Sequence, residues 1–309
     1  MPIDVVVNGY FRSGTTFIWN YLKTELEKKG YLSFYEPLSP DLPLLLRKEI
    51  KENKKNYLHD MFVFKDYFSL GEGYLLKIIR DNPNANEIGI LSTCLLKRYL
   101  DYFHELEQKV FLQPNRLHFH LDLVFENYTN KVVHIVRHPL DVWLSIRKSS
   151  YALVESKVKK FIHEFLKPIK LKDAFEIDKQ YNWIISKLGY PYNFRDSLSI
   201  RILNKFNAFH KFVVVWTISN YYAIKMVKKF GGLVIPYEFI LNSPEEFKEL
   251  LSCFLGVTLQ DLPRVRKGNC FKFDGNLVRR FYHILSRYKI EDEFMFIREF
   301  IYDTYRISY

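Results

Sequence analysis

Residues 4–20, DVVVNGYFRSGTTFIWN, join a β-branched run to a glycine turn and then to an amphipathic stretch headed by Arg-Ser-Gly-Thr-Thr. A strand that passes through small residues into a helix leaves the helix's first N–H groups unpaired. With a cation beside them, those groups cradle a phosphate-like anion. The spacing from Gly9 to Gly14 fits the first half of the nucleotide-binding pattern G-x-x-x-x-G-K-[ST], but Thr15 and Thr16 follow, and the lysine that reaches a γ-phosphate is missing. Arg12 instead offers a planar guanidinium, which suits bidentate contact with a tetrahedral oxyanion. A plainer reading of the same residues is a strand, a turn and a helix capped by Ser13.

A second segment, KVVHIVRHPLDVWLSIRKSS at residues 131–150, repeats the arrangement. Val132–Val136 suits a strand buried on both faces, and Arg137 stands at its carboxyl end, where open parallel sheets bind ligands. Pro139 and Asp141 suit the first turn of the helix that follows. Ser145, eight residues after Arg137, lies two turns into that helix, so the two side chains can grip one phosphate together.

With these two segments the chain resembles the sulfotransferases that use 3′-phosphoadenosine 5′-phosphosulfate (PAPS). The first is similar to that family's 5′-phosphosulfate loop, which carries over to Arg12, Ser13, Gly14, Thr15 and Thr16. The second is similar to its 3′-phosphate motif, which carries over to Arg137 and Ser145. A third match, residues 216–257, resembles the family's W…YEDL…P…FLG stretch and makes Tyr237 the adenine-pocket tyrosine, although Phe239 stands where an aspartate is common. A fourth, VRKGNCFKF at 265–273, resembles the segment that closes over the 3′-phosphate and would make Arg266, Lys267 and Gly268 donors. It falls nearer the FLG segment than in the cytosolic branch, and basic tripeptides are common in a chain with 46 Lys plus Arg.

The resemblance implies a co-substrate, PAPS, a product, 3′,5′-bisphosphoadenosine, and no metal. It also implies an acceptor hydroxyl that needs a base. YLSFYEPL at 31–38 reads as a strand ending at Glu36-Pro37, next to the strand that carries the cradle, and Glu36 is the expected base. His118 and His120 in NRLHFHLDL, expected on one shared face, are the alternative used by the cytosolic small-molecule branch. The family's K-x-P lysine, which neutralises the transferred group, is Leu112 here, with Arg116 or Lys109 as substitutes. The expected reaction is in-line displacement. Arg12 and the amides of Ser13 to Thr16 oppose charge growing on the departing 5′-phosphate, while Arg137 contributes mainly to binding.

Strands expected at 3–8, 31–35, 87–91, 131–136 and 232–236, each followed by helix-like pattern, argue for a parallel sheet covered by helices. This agrees with the family's P-loop NTPase-like three-layer α/β sandwich around a central five-stranded parallel sheet. The chain, at 309 residues and 48% hydrophobic, reads as one domain over 1–309 with variable helical acceptor-side segments at about 37–85 and 146–210. Residues 156–173 concentrate six lysines at helical spacing and read as a solvated basic face.

A net charge of +11 favours an anionic partner. PAPS fits this, and so does an anionic glycan as the hydroxyl-bearing acceptor. No nucleic-acid-binding motif is present. Three scattered cysteines give neither a metal pattern nor a disulfide framework. No apolar run of about 18 residues occurs, so the expectation is a cytoplasmic protein without a membrane span. A P-loop small-molecule kinase and a non-catalytic nucleotide- or glycan-binding descendant are the competing readings.

Overall fold

The computed structural model describes residues 2–39, 41–52, 63–83, 93–152, 177–189, 208–263 and 274–308. Its strands are β1 (Ile3–Gly9), β2 (Leu32–Tyr35), β3 (Val110–Gln113), β4 (Val132–Val136) and β5 (Leu233–Pro236). The first seven helices are α1 (Thr15–Glu27), α2 (Leu42–Glu52), α3 (Lys65–Phe68), α4 (Glu72–Asp81), α5 (Thr93–His104), α6 (Leu121–Asn127) and α7 (Pro139–Ala152). Six more follow: α8 (Ile177–Lys187), α9 (Ala208–Phe230), α10 (Tyr237–Asn242), α11 (Pro244–Leu255), α12 (Gly275–Tyr288) and α13 (Glu291–Tyr305).

The strands form one sheet in the order β2-β3-β1-β4-β5, and every neighbouring pair is parallel. Pairings such as Tyr35 with Gln113, Gly9 with Ile135 and Val136 with Pro236 bring the carboxyl ends of all five strands to one edge. The β1-to-β2 connection runs along the sheet in one direction, and the three later connections run in the other. Right-handed crossovers therefore put α1 on one face and the intervening helices on the opposite one. The packing agrees: Tyr21 of α1 lies against Phe247 of α11, whereas Phe125 of α6 stacks on Phe230 of α9 at 5.1 Å. Val5, Val6 and Val7 are at most 1% exposed, as a central strand covered on both faces requires.

The five-stranded parallel sandwich expected from the sequence is present, but its membership differs. The strand expected at 87–91 lies outside the described residues. The segment VFLQ, aligned above with a K-x-P motif, is β3 and sits between β1 and β2. Glu36 therefore follows a strand one removed from β1, not adjacent to it. Val110, Phe111 and Leu112 are all at most 1% exposed, and so short an apolar run carries no alternation to mark it as a strand.

A buried polar chain ties the core to the carboxyl edge. His134 in β4 is fully buried, with Nδ1 at 3.2 Å from Asn8 Nδ2 and Nε2 at 3.1 Å from Asn220 Oδ1. Donation from the Asn8 amide to Nδ1, and from Nε2–H to the Asn220 oxygen, satisfies a single neutral tautomer. Asn8 Oδ1 in turn accepts from the Leu117 N–H at 3.2 Å and holds the loop after β3 against β1. Burial lowers the His134 pKa to about 4, so the ring stays neutral at ordinary pH.

Candidate functional site

The turn between β1 and α1 is built on two left-handed residues, Arg12 at φ 65° and Gly14 at φ 96°. At Gly14 the requirement for glycine is double, because an added Cβ would also lie 2.3 Å from Cδ2 of Tyr237. Gly14 is the N-cap of α1 and uses no side-chain cap. Ser13, the expected cap or phosphate ligand, is 1% exposed and turns its hydroxyl and its N–H back to the Tyr10 carbonyl. Its amide is thereby removed from the expected donor set. The first intrahelical bond is from Ile18 N to Gly14 O, so the amides of Thr15, Thr16 and Phe17 keep their donors free of the helix ladder. The first turn of α1 carries no acidic residue, which leaves the positive end of the helix dipole uncompensated.

On the β4 side, Arg137 follows the strand directly and Ser145 projects from α7. Arg137 donates through Nη1 to the Arg12 carbonyl at 3.2 Å, and Arg12 donates through Nε to Ser145 Oγ at 3.1 Å. The two arginines that the sequence assigns to opposite ends of a nucleotide thus form one continuous cationic floor. Neither makes an ion pair among the described residues. Burial, and then the neighbouring Arg137 charge, pushes the Arg12 pKa down. Arg137 lies 4.8 Å above the Tyr237 ring, a cation–π contact, and its Nε is buried without a partner among the described residues. Tyr237 opens α10 at the end of β5, and Glu238 beside it accepts the His138 N–H at 3.0 Å, which locks the two loops together.

On the β2 side, Glu36 sits in the left-handed region at φ 43°. Its carboxylate accepts from Asn115 Nδ2 at 2.9 Å and from Arg116 Nη1 at 3.4 Å, one donor per oxygen. Asn115, itself at φ 57°, is oriented by a hydrogen bond from the Gln113 amide to its Oδ1. Arg116 is 7% exposed and stacks over Phe11 at 4.8 Å.

Of the two proposed substitutes for the absent lysine, Arg116 lies at the carboxyl edge. Lys109 precedes β3 at the opposite edge of the sheet, over the Tyr31 ring. Leu112 is core. His118 is 6% exposed, and burial holds its pKa well below the usual range, so it stays neutral beside Tyr10 and His134. His120 stands at the N-cap position of α6, and burial lowers its pKa too.

Both sides meet in one cleft of about 520 Å³. Arg12, Gly14, Thr15, Thr16, Arg137, Ser145 and Tyr237 line it together with Glu36, whereas Ser13, His118 and His120 do not. Arg266, Lys267 and Gly268, and the lysine-rich stretch 156–173, lie outside the described residues. Tyr35 and Asn115 also line the cleft and were not singled out by sequence. Among the described residues no group of three or more His, Cys, Asp or Glu side chains can hold a metal ion, and no helix is long and apolar enough to cross a membrane.

Fold and site together define an α/β protein with a cationic cleft at the carboxyl edge of a five-stranded parallel sheet. An uncharacterized protein of Archaeoglobus fulgidus is 30% identical to it over 278 residues, covering 82% of this chain and 84% of that protein. The chain belongs to one family with that archaeal protein. No family model matches. Among solved structures, a sulfotransferase from Alicyclobacillus acidocaldarius aligns over 94% of this chain and 96% of its own, with TM-score 0.40 and 13% identity. The sulfotransferase domain of the Synechococcus PCC 7002 olefin synthase covers 90% of this chain and 82% of its own, with TM-score 0.38 and 13% identity.

Proposed function

We propose that the protein is a sulfotransferase that moves a sulfuryl group from PAPS to the hydroxyl of an acceptor. The observation that carries this reading is the meeting of Arg12, Arg137 and Ser145, drawn from separate segments, at the amino end of α1, with a carboxylate on the far side of the same cleft. Two guanidiniums that make no ion pair among the described residues, together with free helix amides, favour a ligand with several negative charges. The aromatic face of Tyr237 beside Arg137 suits a base or ribose.

In this reading Arg137 and Ser145 bind the 3′-phosphate and Tyr237 flanks the adenine. The amides of Thr15 to Phe17, with Arg12, hold the 5′-phosphate. Glu36 takes the proton of the acceptor hydroxyl as its oxygen bonds to sulfur, and the bond from sulfur to the 5′-phosphate oxygen breaks with its electron pair leaving on that phosphate. The α1 amides and Arg12 stabilise the charge that grows there, from fixed positions. Asn115 and Arg116 each hold one oxygen of Glu36 and so aim the carboxylate at the cleft. The chain acts as one domain. Its segments at 37–85 and 146–210 select the acceptor, for which the net charge of +11 suits an anionic glycan.

The test is transfer or slow hydrolysis of labelled sulfate from PAPS, with an extract supplying acceptors, by the wild-type protein and by Glu36→Gln. Label released or transferred by the wild type and not by the variant supports the reading. A wild type that binds 3′,5′-bisphosphoadenosine but releases no label is a nucleotide-binding descendant instead.

A further inference from the structure

We propose that the Tyr35 hydroxyl binds the sulfuryl group itself and so makes the cleft distinguish the phosphosulfate from the bare bisphosphate; this rests on the sulfotransferase reading above. Tyr35 is the last residue of β2 and is 5% exposed. Its ring is fixed edge-on against Trp19 at 5.0 Å and packs near Phe64, and its carbonyl accepts from the Tyr67 hydroxyl at 3.1 Å. A ring held on these sides places its oxygen without further loss of freedom. Tyr35 lines the cleft, and its hydroxyl oxygen lies 2.9 Å from Thr16 Oγ1, in the first turn of α1.

The sheet order decides what part of the donor it meets. Arg137, Ser145 and Tyr237 belong to β4, β5 and the helices that follow them, on one side of β1. Tyr35 ends β2 and Glu36 follows it, two strands away on the other side, roughly 10 Å at ordinary strand spacing. A nucleotide anchored on the β4 side, with its 5′-phosphate at α1, points the group beyond that phosphate toward β2. Leu112 pairs with Phe34 and is 1% exposed, so β3 offers no side-chain donor there.

The two hydroxyls provide one. In a Tyr–Thr pair one hydroxyl donates to the other; with Thr16 as the donor, the phenol O–H is left to turn between the Glu36 carboxylate, its other partner, and an incoming ligand oxygen. Burial, reinforced by the nearby Glu36 carboxylate, raises the phenol's pKa well above its ordinary value, so the pair remains neutral and donating at physiological pH. A neutral donor beside Glu36 adds no cation that would pair with the base.

The experiment is calorimetric titration with PAPS and with 3′,5′-bisphosphoadenosine, without acceptor, of the wild type and of Tyr35→Phe, which keeps the ring. The expected result is PAPS affinity about tenfold weaker in the variant, the scale of one lost hydrogen bond, with bisphosphate affinity within about twofold of wild type. Retained bisphosphate binding also reports an intact fold. Thr16→Val, the second variant, should shift the same ratio in the same direction by a smaller factor, and it decides the matter if Tyr35→Phe does not fold. An unchanged ratio, or an equal loss for both ligands, overturns the role of Tyr35 and leaves the sulfotransferase reading standing. A wild type that binds neither ligand overturns both.

Discussion

Arg12 donates its Nε–H to Ser145 Oγ at 3.1 Å across 133 positions of sequence. The loop before α1 and the second turn of α7 therefore share one cationic surface, and in the proposed complex Arg12 does not act on one end of the nucleotide alone. We predict that Arg12→Ala weakens 3′,5′-bisphosphoadenosine binding as well as turnover, whereas Arg137→Ala acts on binding with little further effect on kcat. A charge-assisted hydrogen bond of roughly 1.5 to 3 kcal/mol sets the loss at about 10- to 150-fold in Kd for either variant. Titration calorimetry beside single-turnover rates separates the two effects.

Glu36→Gln keeps the shape and the Arg116 side of the site but cannot accept a proton at the acceptor oxygen. Turnover should fall by about 100- to 10,000-fold with bisphosphate affinity unchanged. Asn115→Ala, which releases one of the two carboxylate oxygens, should cost about tenfold in kcat through misaimed geometry. A loss of nucleotide affinity in either variant would show that Glu36 shapes the cleft and does not serve as its base.

Gly14→Ala meets two obstacles: a left-handed backbone and the Tyr237 ring 2.3 Å from the new Cβ. The backbone conflict alone costs about 1 to 2 kcal/mol. Displacing Tyr237 also disturbs the Arg137 cation–π contact. A thermal melt should show a lowered Tm, and the stabilisation by bisphosphate should shrink in the same variant.

His134 is buried neutral with a pKa of about 4, against about 6.5 when unfolded. Between those values the unfolded chain binds the extra proton, so stability falls as pH drops from about 6.5 toward 4 and is fully present above that window. The contribution is on the order of 3 kcal/mol. His134→Gln should flatten the pH dependence of Tm in that window, even if the variant is less stable at every pH. His118, depressed in the same direction, adds to the wild-type slope and to the residual slope of the variant.

The parts of the site that were legible in the sequence are those whose chemistry is local to one segment. The Gly14 turn, Arg137 at a strand end with Ser145 two helical turns on, and Glu36 before Pro37 each announce themselves within a few residues. What stayed hidden depends on how the strands are ordered. β3 gave no alternating pattern, and without it the distance from Glu36 to β1, the wrong edge occupied by Lys109 and the approach of Tyr35 to Thr16 could not be read. Ser13 is ambiguous for a different reason: the same hydroxyl can cap a helix, bind an anion or close a turn on Tyr10, and only the backbone path selects among them.

The most direct measurement of the central claim is the thermal shift of the wild-type protein with 3′,5′-bisphosphoadenosine compared with ATP and magnesium. At a bisphosphate concentration about 100 times Kd the protein should gain about 2.7 kcal/mol without metal, and the gain should shrink sharply in Arg137→Ala. No shift with the bisphosphate, or a larger one with magnesium–ATP that survives Arg137→Ala, would contradict it.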